Sequence, residues 1–171
     1  MTIGIFGGSF DPVHNGHVGI AKKAMASFGL DRLIVVPAAV SPFKTGSAPK
    51  GDYDRLELLR LAFADVPGAV VDDRELKRGG VSYAIDTVKE IAAENPGVKI
   101  VFLVGEDSVE GLPRWKDWDE LRKLCEFRSF PRTPESSTEV RRRLAAGEDV
   151  SSLVPPATLD GLLASRQTGR M

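Results

Sequence analysis

Apolar residues along this chain follow two rhythms. Unbroken runs rich in branched side chains, Thr2–Phe6, Arg32–Pro37, Ala69–Asp72 and Val98–Val104, predict strands buried on both faces. Between them the apolar spacing changes to three and four. Val18, Ala21, Met25 and Phe28 share a face over Asn15–Phe28, Leu56, Leu59 and Phe63 over Tyr53–Ala64, and Val88, Ile91 and Ala92 over Tyr83–Glu94. Strands alternating with helices predict an α/β fold: a doubly wound parallel sheet with helices on both faces.

After the fourth run the pattern loosens. Asp117–Leu124 reads as a helix and Glu126–Phe130 as a short edge strand, before Pro131 and Pro134 interrupt the chain. Ser136-Ser137-Thr138-Glu139 opens a helix in capping-box style that ends at Gly147. Val154–Ser165, entered through Pro155-Pro156, predicts a last helix. No repeat or linker divides the chain, so residues 1–171 read as one domain, with a small helical C-terminal part within 136–165.

Two connections are long: Ala38–Asp52 and Arg74–Ser82. Both, like the glycines after the first strand and the stretch Gly105–Trp118, leave the carboxyl edge of the sheet, where open α/β sheets bind ligands. Composition narrows the choice of ligand. A net charge of −1 gives no global field for nucleic acid or an anionic membrane, so anion binding must be local. Arg141-Arg142-Arg143 alone makes no basic face. The lone Cys125 fits a reducing compartment, no run reaches the ~18 apolar residues of a membrane span, and the opening reads as a strand rather than a leader; a cytoplasmic protein is expected.

The chemistry concentrates at the start. In Gly7-Gly8-Ser9-Phe10-Asp11-Pro12-Val13-His14-Asn15-Gly16-His17 a strand meets glycines, a turn and two histidines on one face of a helix start. Free N–H groups and the helix dipole would add to two imidazoles, making a clamp for phosphate. The Gly-x-Gly-x-x-Gly spacing of dinucleotide-binding dehydrogenases is absent.

His14-Asn15-Gly16-His17 with its glycine approach is joined by Ser41-Pro42-Phe43-Lys44, Asp72-Asp73-Arg74-Glu75, Gly80-Val81-Ser82-Tyr83-Ala84-Ile85-Asp86-Thr87, Gly105-Glu106-Asp107 with Trp115 and Trp118, and Ser136-Ser137-Thr138-Glu139-Val140-Arg141. In this order the blocks resemble the nicotinate-nucleotide adenylyltransferases, Rossmann-like enzymes of the His-x-Gly-His nucleotidyltransferase superfamily. The resemblance implies transfer of the adenylyl group of ATP to nicotinic acid mononucleotide, giving nicotinic acid adenine dinucleotide and pyrophosphate, a step of NAD biosynthesis.

It implies roles as well. His17 and His14 contact the α-phosphate, with Lys44 and Arg141 adding charge. Gly7, Gly8, Ser9, Phe10, Gly16, Gly105, Asp107, Ser136, Ser137 and Thr138 bind ATP. Tyr83, Ala84 and Trp115 hold the mononucleotide, Trp115 by stacking on the pyridine. The attacking phosphate is already an anion, so placement and charge neutralisation suffice without a nucleophile–base pair. Magnesium should ride on the ATP phosphates, with no protein-held metal and no prosthetic group. Asp72, Asp73 and Glu75 read as loop-ordering acceptors. Arg55 is either the family's helix-opening arginine or a solvated side chain.

The chain departs from the pattern in three places. Phe43 replaces a usual histidine beside the lysine, Ala84 replaces a common threonine, and the interval from Trp118 to Ser136 is short. A backbone-held pyridine carboxylate and a tighter route to the Ser136 helix are therefore expected. The remaining alternatives are another adenylyltransferase of the superfamily, acting on phosphopantetheine or nicotinamide mononucleotide, and a nucleotide-binding module with weakened catalysis. Homo-oligomerisation is left open.

Overall fold

The computed structural model describes residues 1–42 and 53–168. Five strands, β1 (Thr2–Gly8), β2 (Arg32–Pro37), β3 (Ala69–Val71), β4 (Lys99–Gly105) and β5 (Glu126–Phe130), form one sheet in the order β3-β2-β1-β4-β5, all pairs parallel. The helices are α1 (Asn15–Ser27), α2 (Arg55–Phe63), α3 (Arg74–Arg78), α4 (Ala84–Glu94), α5 (Trp118–Leu124), α6 (Ser137–Ala146) and α7 (Leu159–Thr168).

Alternation along the central strands explains the winding. Phe6, Leu33, Val35, Val101 and Leu103 face one side, where α1, α2, α6 and α7 deliver Ile20, Leu59, Val140 and Leu162. Ile3, Ile5, Ile34, Val36, Ile100, Phe102 and Val104 face the other, against Ile85, Val88 and Ile91 of α4 and Leu121 of α5. Burial on both faces is why these strands read as continuous apolar runs rather than alternating ones. Gly161 lets α7 lie close to α2, since a Cβ there would stand 2.8 Å from Leu58 Cδ2.

Several local expectations are corrected. Strand β1 continues through Gly7 and Gly8, which pair with Val36 and Pro37, so the double glycine is extended strand and not a turn. The segment Arg74–Ser82 contains α3, and Gly105–Trp118 contains a 3-10 helix, Glu106–Arg114. Asp72 lies just past β3, and α2 buries Leu58 and Leu59 while Leu56 is only half-buried. Two others hold: Glu126–Phe130 is an edge strand, paired with β4 over its full length, and α6 ends on Gly147 in the left-handed region (φ 76°).

Candidate active site

Strand β1 delivers its residues to the carboxyl edge of the sheet, and the chain then turns into α1 through His14. His14 is the N-cap of α1 and is 5% exposed. Its Nδ1 accepts from the Gly16 N–H at 3.1 Å, and His17 Nδ1 accepts from the His14 N–H at 3.0 Å. The two histidines thus replace the usual Ser/Glu pair of a capping box. Their rings stack with centroids 3.7 Å apart and planes 23° off parallel.

This pairing fixes the protons. A neutral imidazole that accepts at Nδ1 carries its hydrogen on Nε2. Both rings therefore present an Nε2–H donor. Loss of hydration lowers the His14 pKa to about 4, with Glu135 pulling the other way. Burial, then the neighbouring His14, holds His17 well below 6.5. At neutral pH the pair is two uncharged donors.

The free main-chain donors expected at α1 are absent. Asn15 N–H donates to the Leu153 carbonyl at 2.9 Å, Gly16 N–H to His14 Nδ1, and the N–H groups of His17 and Val18 reach the His14 carbonyl at 3.1 and 3.5 Å. An anion here must be held by the imidazoles and the dipole rather than by peptide N–H groups.

Phe10 is 2% exposed, with φ 44°, and packs edge-on to His17 at 4.9 Å between centroids. Its ring supports His17 from below instead of lining a cavity. Asp11 accepts from the Tyr53 hydroxyl at 2.5 Å, and Arg55 donates to the Ser9 carbonyl at 2.6 Å. Arg55 thus braces the turn after β1, which settles its role against a purely solvated side chain.

Helix α6 is bolted to the same turn. Ser137 Oγ donates to the Pro12 carbonyl at 2.8 Å, and Arg141 donates to the Asp11 carbonyl and, at 3.2 Å, to Thr138 Oγ1. Ser136 caps the helix by accepting from Glu139 N–H at 3.1 Å. The N–H groups of Ser137 and Thr138 have no protein acceptor among the described residues. The start of α6 therefore lies against the turn that leads into His14.

The shortened route between β5 and α6 passes over this junction. A Cβ on Gly16 would fall 2.2 Å from Thr133 Oγ1 and 2.8 Å from the His14 ring, so only glycine admits this path. Arg132, from the same stretch, pairs with Asp107, whose carboxylate is thereby engaged at the surface.

A cavity of about 520 Å³ opens at the carboxyl ends of β1 and β4. Gly7, Gly8, Ser9, Ser82, Tyr83, Ala84, Gly105 and Trp115 line it, joined by Glu75 as a wall group and by residues the sequence did not single out: Phe102, Arg114, Lys116 and Phe130. Trp115 meets Phe102 edge-on at 5.7 Å, whereas Trp118 packs on Phe127 at 5.1 Å, outside the cavity. Glu75, 7% exposed, accepts from Thr87 Oγ1 at 2.5 Å and is pushed above its ordinary pKa by burial. His14, His17, Asp107, Ser136–Thr138 and Arg141 do not line this cavity, whereas Gly7, Gly8 and Ser9, which precede the histidine turn, do. Lys44, and Phe43 beside it, lie outside the described residues. Asp72 is spent on Arg74, accepting at 2.8–3.0 Å.

Residues 5–153 match the cytidylyltransferase-like family. A "probable nicotinate-nucleotide adenylyltransferase" of Chlorobaculum parvum is 39% identical over 184 residues, covering 92% of this chain and 93% of that protein. One of the same description from Geobacter sp. strain M21 is 42% identical, covering 86% and 70%. Among solved structures, Plasmodium falciparum nicotinic acid mononucleotide adenylyltransferase complexed with NaAD superposes with a TM-score of 0.71 at 17% identity, covering 95% of each chain.

Proposed function

The chain belongs to the cytidylyltransferase-like family and, within it, to the nicotinate-nucleotide adenylyltransferases, and from that premise we propose how its residues carry out adenylyl transfer. The 5′-phosphate oxygen of nicotinic acid mononucleotide attacks the α-phosphorus of ATP. One P–O bond forms, the α–β bridging P–O bond breaks, and pyrophosphate leaves with the bonding electrons. The nucleophile needs no deprotonation at neutral pH. The enzyme's task is to bring two anions together and stabilise the charge that grows on the bridging and non-bridging oxygens.

The observation that carries this reading is the paired, neutral, Nε2–H-donating histidines beside a cavity of mononucleotide size. His17 and His14 donate to the α-phosphate. Ser137 and Thr138 N–H groups at the α6 start, with Arg141 beside them, take the β- and γ-phosphates. Lys44 adds a positive charge. Gly7–Ser9 and Gly105 let the nucleotide backbone approach. Asp107 takes a ribose hydroxyl once it exchanges Arg132 for the ligand. The cavity accepts the mononucleotide, with Trp115 against the pyridine and the Tyr83–Ala84 backbone near its substituent.

No group of three His, Cys, Asp or Glu suited to a metal occurs among the described residues. Magnesium would be carried by the ATP phosphates, since the ion gives up its hydration reluctantly. The whole chain acts as one nucleotidyltransferase domain. No helix among the described residues is long and apolar enough to cross a membrane, and we place the enzyme in the cytoplasm.

Product analysis tests the reading. Wild-type protein with ATP, magnesium and nicotinic acid mononucleotide should release pyrophosphate and the adenine dinucleotide in equal amounts. His17→Ala should lower kcat by about 100- to 1,000-fold while leaving ATP affinity within a few fold, because its contact strengthens in the transition state. A wild-type protein as inert as His17→Ala, yet binding ATP, would refute it.

A further inference from the structure

The turn from β1 into α1 is gripped by two segments far away in sequence. Ser137 and Arg141 of α6 donate to the Pro12 and Asp11 carbonyls, and Arg55 of α2 donates to the Ser9 carbonyl. Between them lies the Asp11 carboxylate, on a residue only 6% exposed. Its Oδ1 accepts from the Tyr53 hydroxyl at 2.5 Å, within the range of charge-assisted O–H···O⁻ bonds. Its Oδ2 stops 4.0 Å from Arg141 Nη1, too far for a hydrogen bond. Arg141 places Nη1 on the Asp11 carbonyl and Nη2 on Thr138 Oγ1, and its other N–H donors have no protein acceptor among the described residues. Burial, then the hydrogen bond to Asp11, raises the Tyr53 pKa above that of an ordinary phenol, so its hydroxyl remains a donor.

We propose that Tyr53 is a positioning residue for Arg141: its hydroxyl holds the Asp11 carboxylate away from the guanidinium, which leaves Arg141 open to a polyphosphate. This rests on Arg141 receiving the β- and γ-phosphates as described above. A guanidinium and a carboxylate favour two parallel N–H···O bonds. Asp11 already presents its carbonyl to Arg141, so a rotation of its side chain is enough to bring the carboxylate into that pairing. The Tyr53 hydroxyl opposes the rotation by fixing Oδ1. An arginine so paired would be neutralised and would lose the donors that a phosphate needs. Asp11 and the polyphosphate are in this sense two anions competing for one cation. The other cation that faces Asp11, Arg55, is occupied by the Ser9 carbonyl at 2.6 Å. Tyr53 thus acts through Asp11 and does not itself touch the nucleotide.

The test uses the reverse reaction, because inorganic pyrophosphate reads the Arg141 site on its own. Its KM is measured with nicotinic acid adenine dinucleotide in wild type, Tyr53→Phe, Arg141→Ala and the double variant. Tyr53→Phe removes one oxygen and keeps the ring. It should raise the pyrophosphate KM about five- to tenfold, while the forward KM for nicotinic acid mononucleotide moves less than about twofold. A site merely loosened by the lost hydrogen bond would weaken both. In the Arg141→Ala background Tyr53→Phe should add nothing. Asp11→Asn removes the competing charge, so introduced beside Tyr53→Phe it should return the pyrophosphate KM towards wild type. An unchanged pyrophosphate KM in Tyr53→Phe, full additivity with Arg141→Ala, or a parallel rise in both KM values overturns the proposal while leaving adenylyl transfer intact. A loss that persists with Asp11→Asn does the same. Arg141→Ala with the wild-type pyrophosphate KM, or a wild type inert in both directions, would instead be the failure of the proposed function, and this inference would fall with it.

Discussion

His14 and His17 are held face to face by the backbone they begin: each ring's Nδ1 takes a peptide N–H, one from Gly16 and one from His14 itself. Tautomer, ring orientation and the direction of the remaining N–H are therefore set by the first turn of α1. Side chains locked in this way spend little reorganisation energy when a phosphate arrives.

The first prediction concerns acid. Folded His14 titrates near 4 and His17 well below 6.5, while the unfolded chain takes up both protons near 6.5. Between those limits the unfolded state binds more protons, so stability falls as pH drops from about 6.5 towards 4 and is unaffected by these groups above that range. The slope is at most about 1.4 kcal/mol per pH unit for each histidine. Urea midpoints across this range measure it. His14→Asn keeps a capping acceptor without a titrating ring and should flatten the limb. A limb as steep as wild type would place the acid sensitivity elsewhere.

Gly16 offers a second test. Its hydrogen occupies the only space between the His14 ring and Thr133. Gly16→Ala should destabilise the protein by about 2–3 kcal/mol and lower turnover more than tenfold, since the imidazole must tilt. Adding Thr133→Gly removes the nearer collision and should recover part of the stability but less of the turnover. Simple addition of the two effects in a double-mutant cycle would show that Thr133 does not press on this position.

The two tryptophans should separate cleanly. Trp115 lines the cavity and Trp118 packs on Phe127. Trp115→Ala should raise the mononucleotide KM about tenfold with kcat nearly unchanged. Trp118→Ala should lower stability by about 2–3 kcal/mol and leave that KM alone. Reversed outcomes would exchange their roles.

Much of this was legible in the residues because it depends on short-range pattern. Double-faced apolar runs gave the central strands, and His14-Asn15-Gly16-His17 announced its own helix start. Other features depend on contacts across the chain. Nothing in the sequence near Asn15 says that the Leu153 carbonyl will occupy its N–H, so the helix start read as offering free peptide donors that are in fact taken. The glycines Gly7 and Gly8 signalled a turn, yet pairing with Val36 and Pro37 keeps them in the sheet. Phe10 looked like part of an ATP loop because of its neighbours in sequence; its side chain turned inward to carry His17. Glu75 read as a loop-ordering acceptor, and it does fasten Thr87 and Ser82, but only the fold shows that this places it in the cavity wall.

The docking of Asn15 onto Ser152 and Leu153 has a consequence for the order of assembly. Its N–H and side-chain amide seal against carbonyls 137 positions or more away, at 2.9 and 3.1 Å. Closing so wide a loop is slow compared with forming α1 or pairing adjacent strands. During refolding, helical signal should therefore return before catalytic competence. A ribosome-bound chain not yet extended past Leu153 would display both imidazoles on a finished helix without the plug behind them.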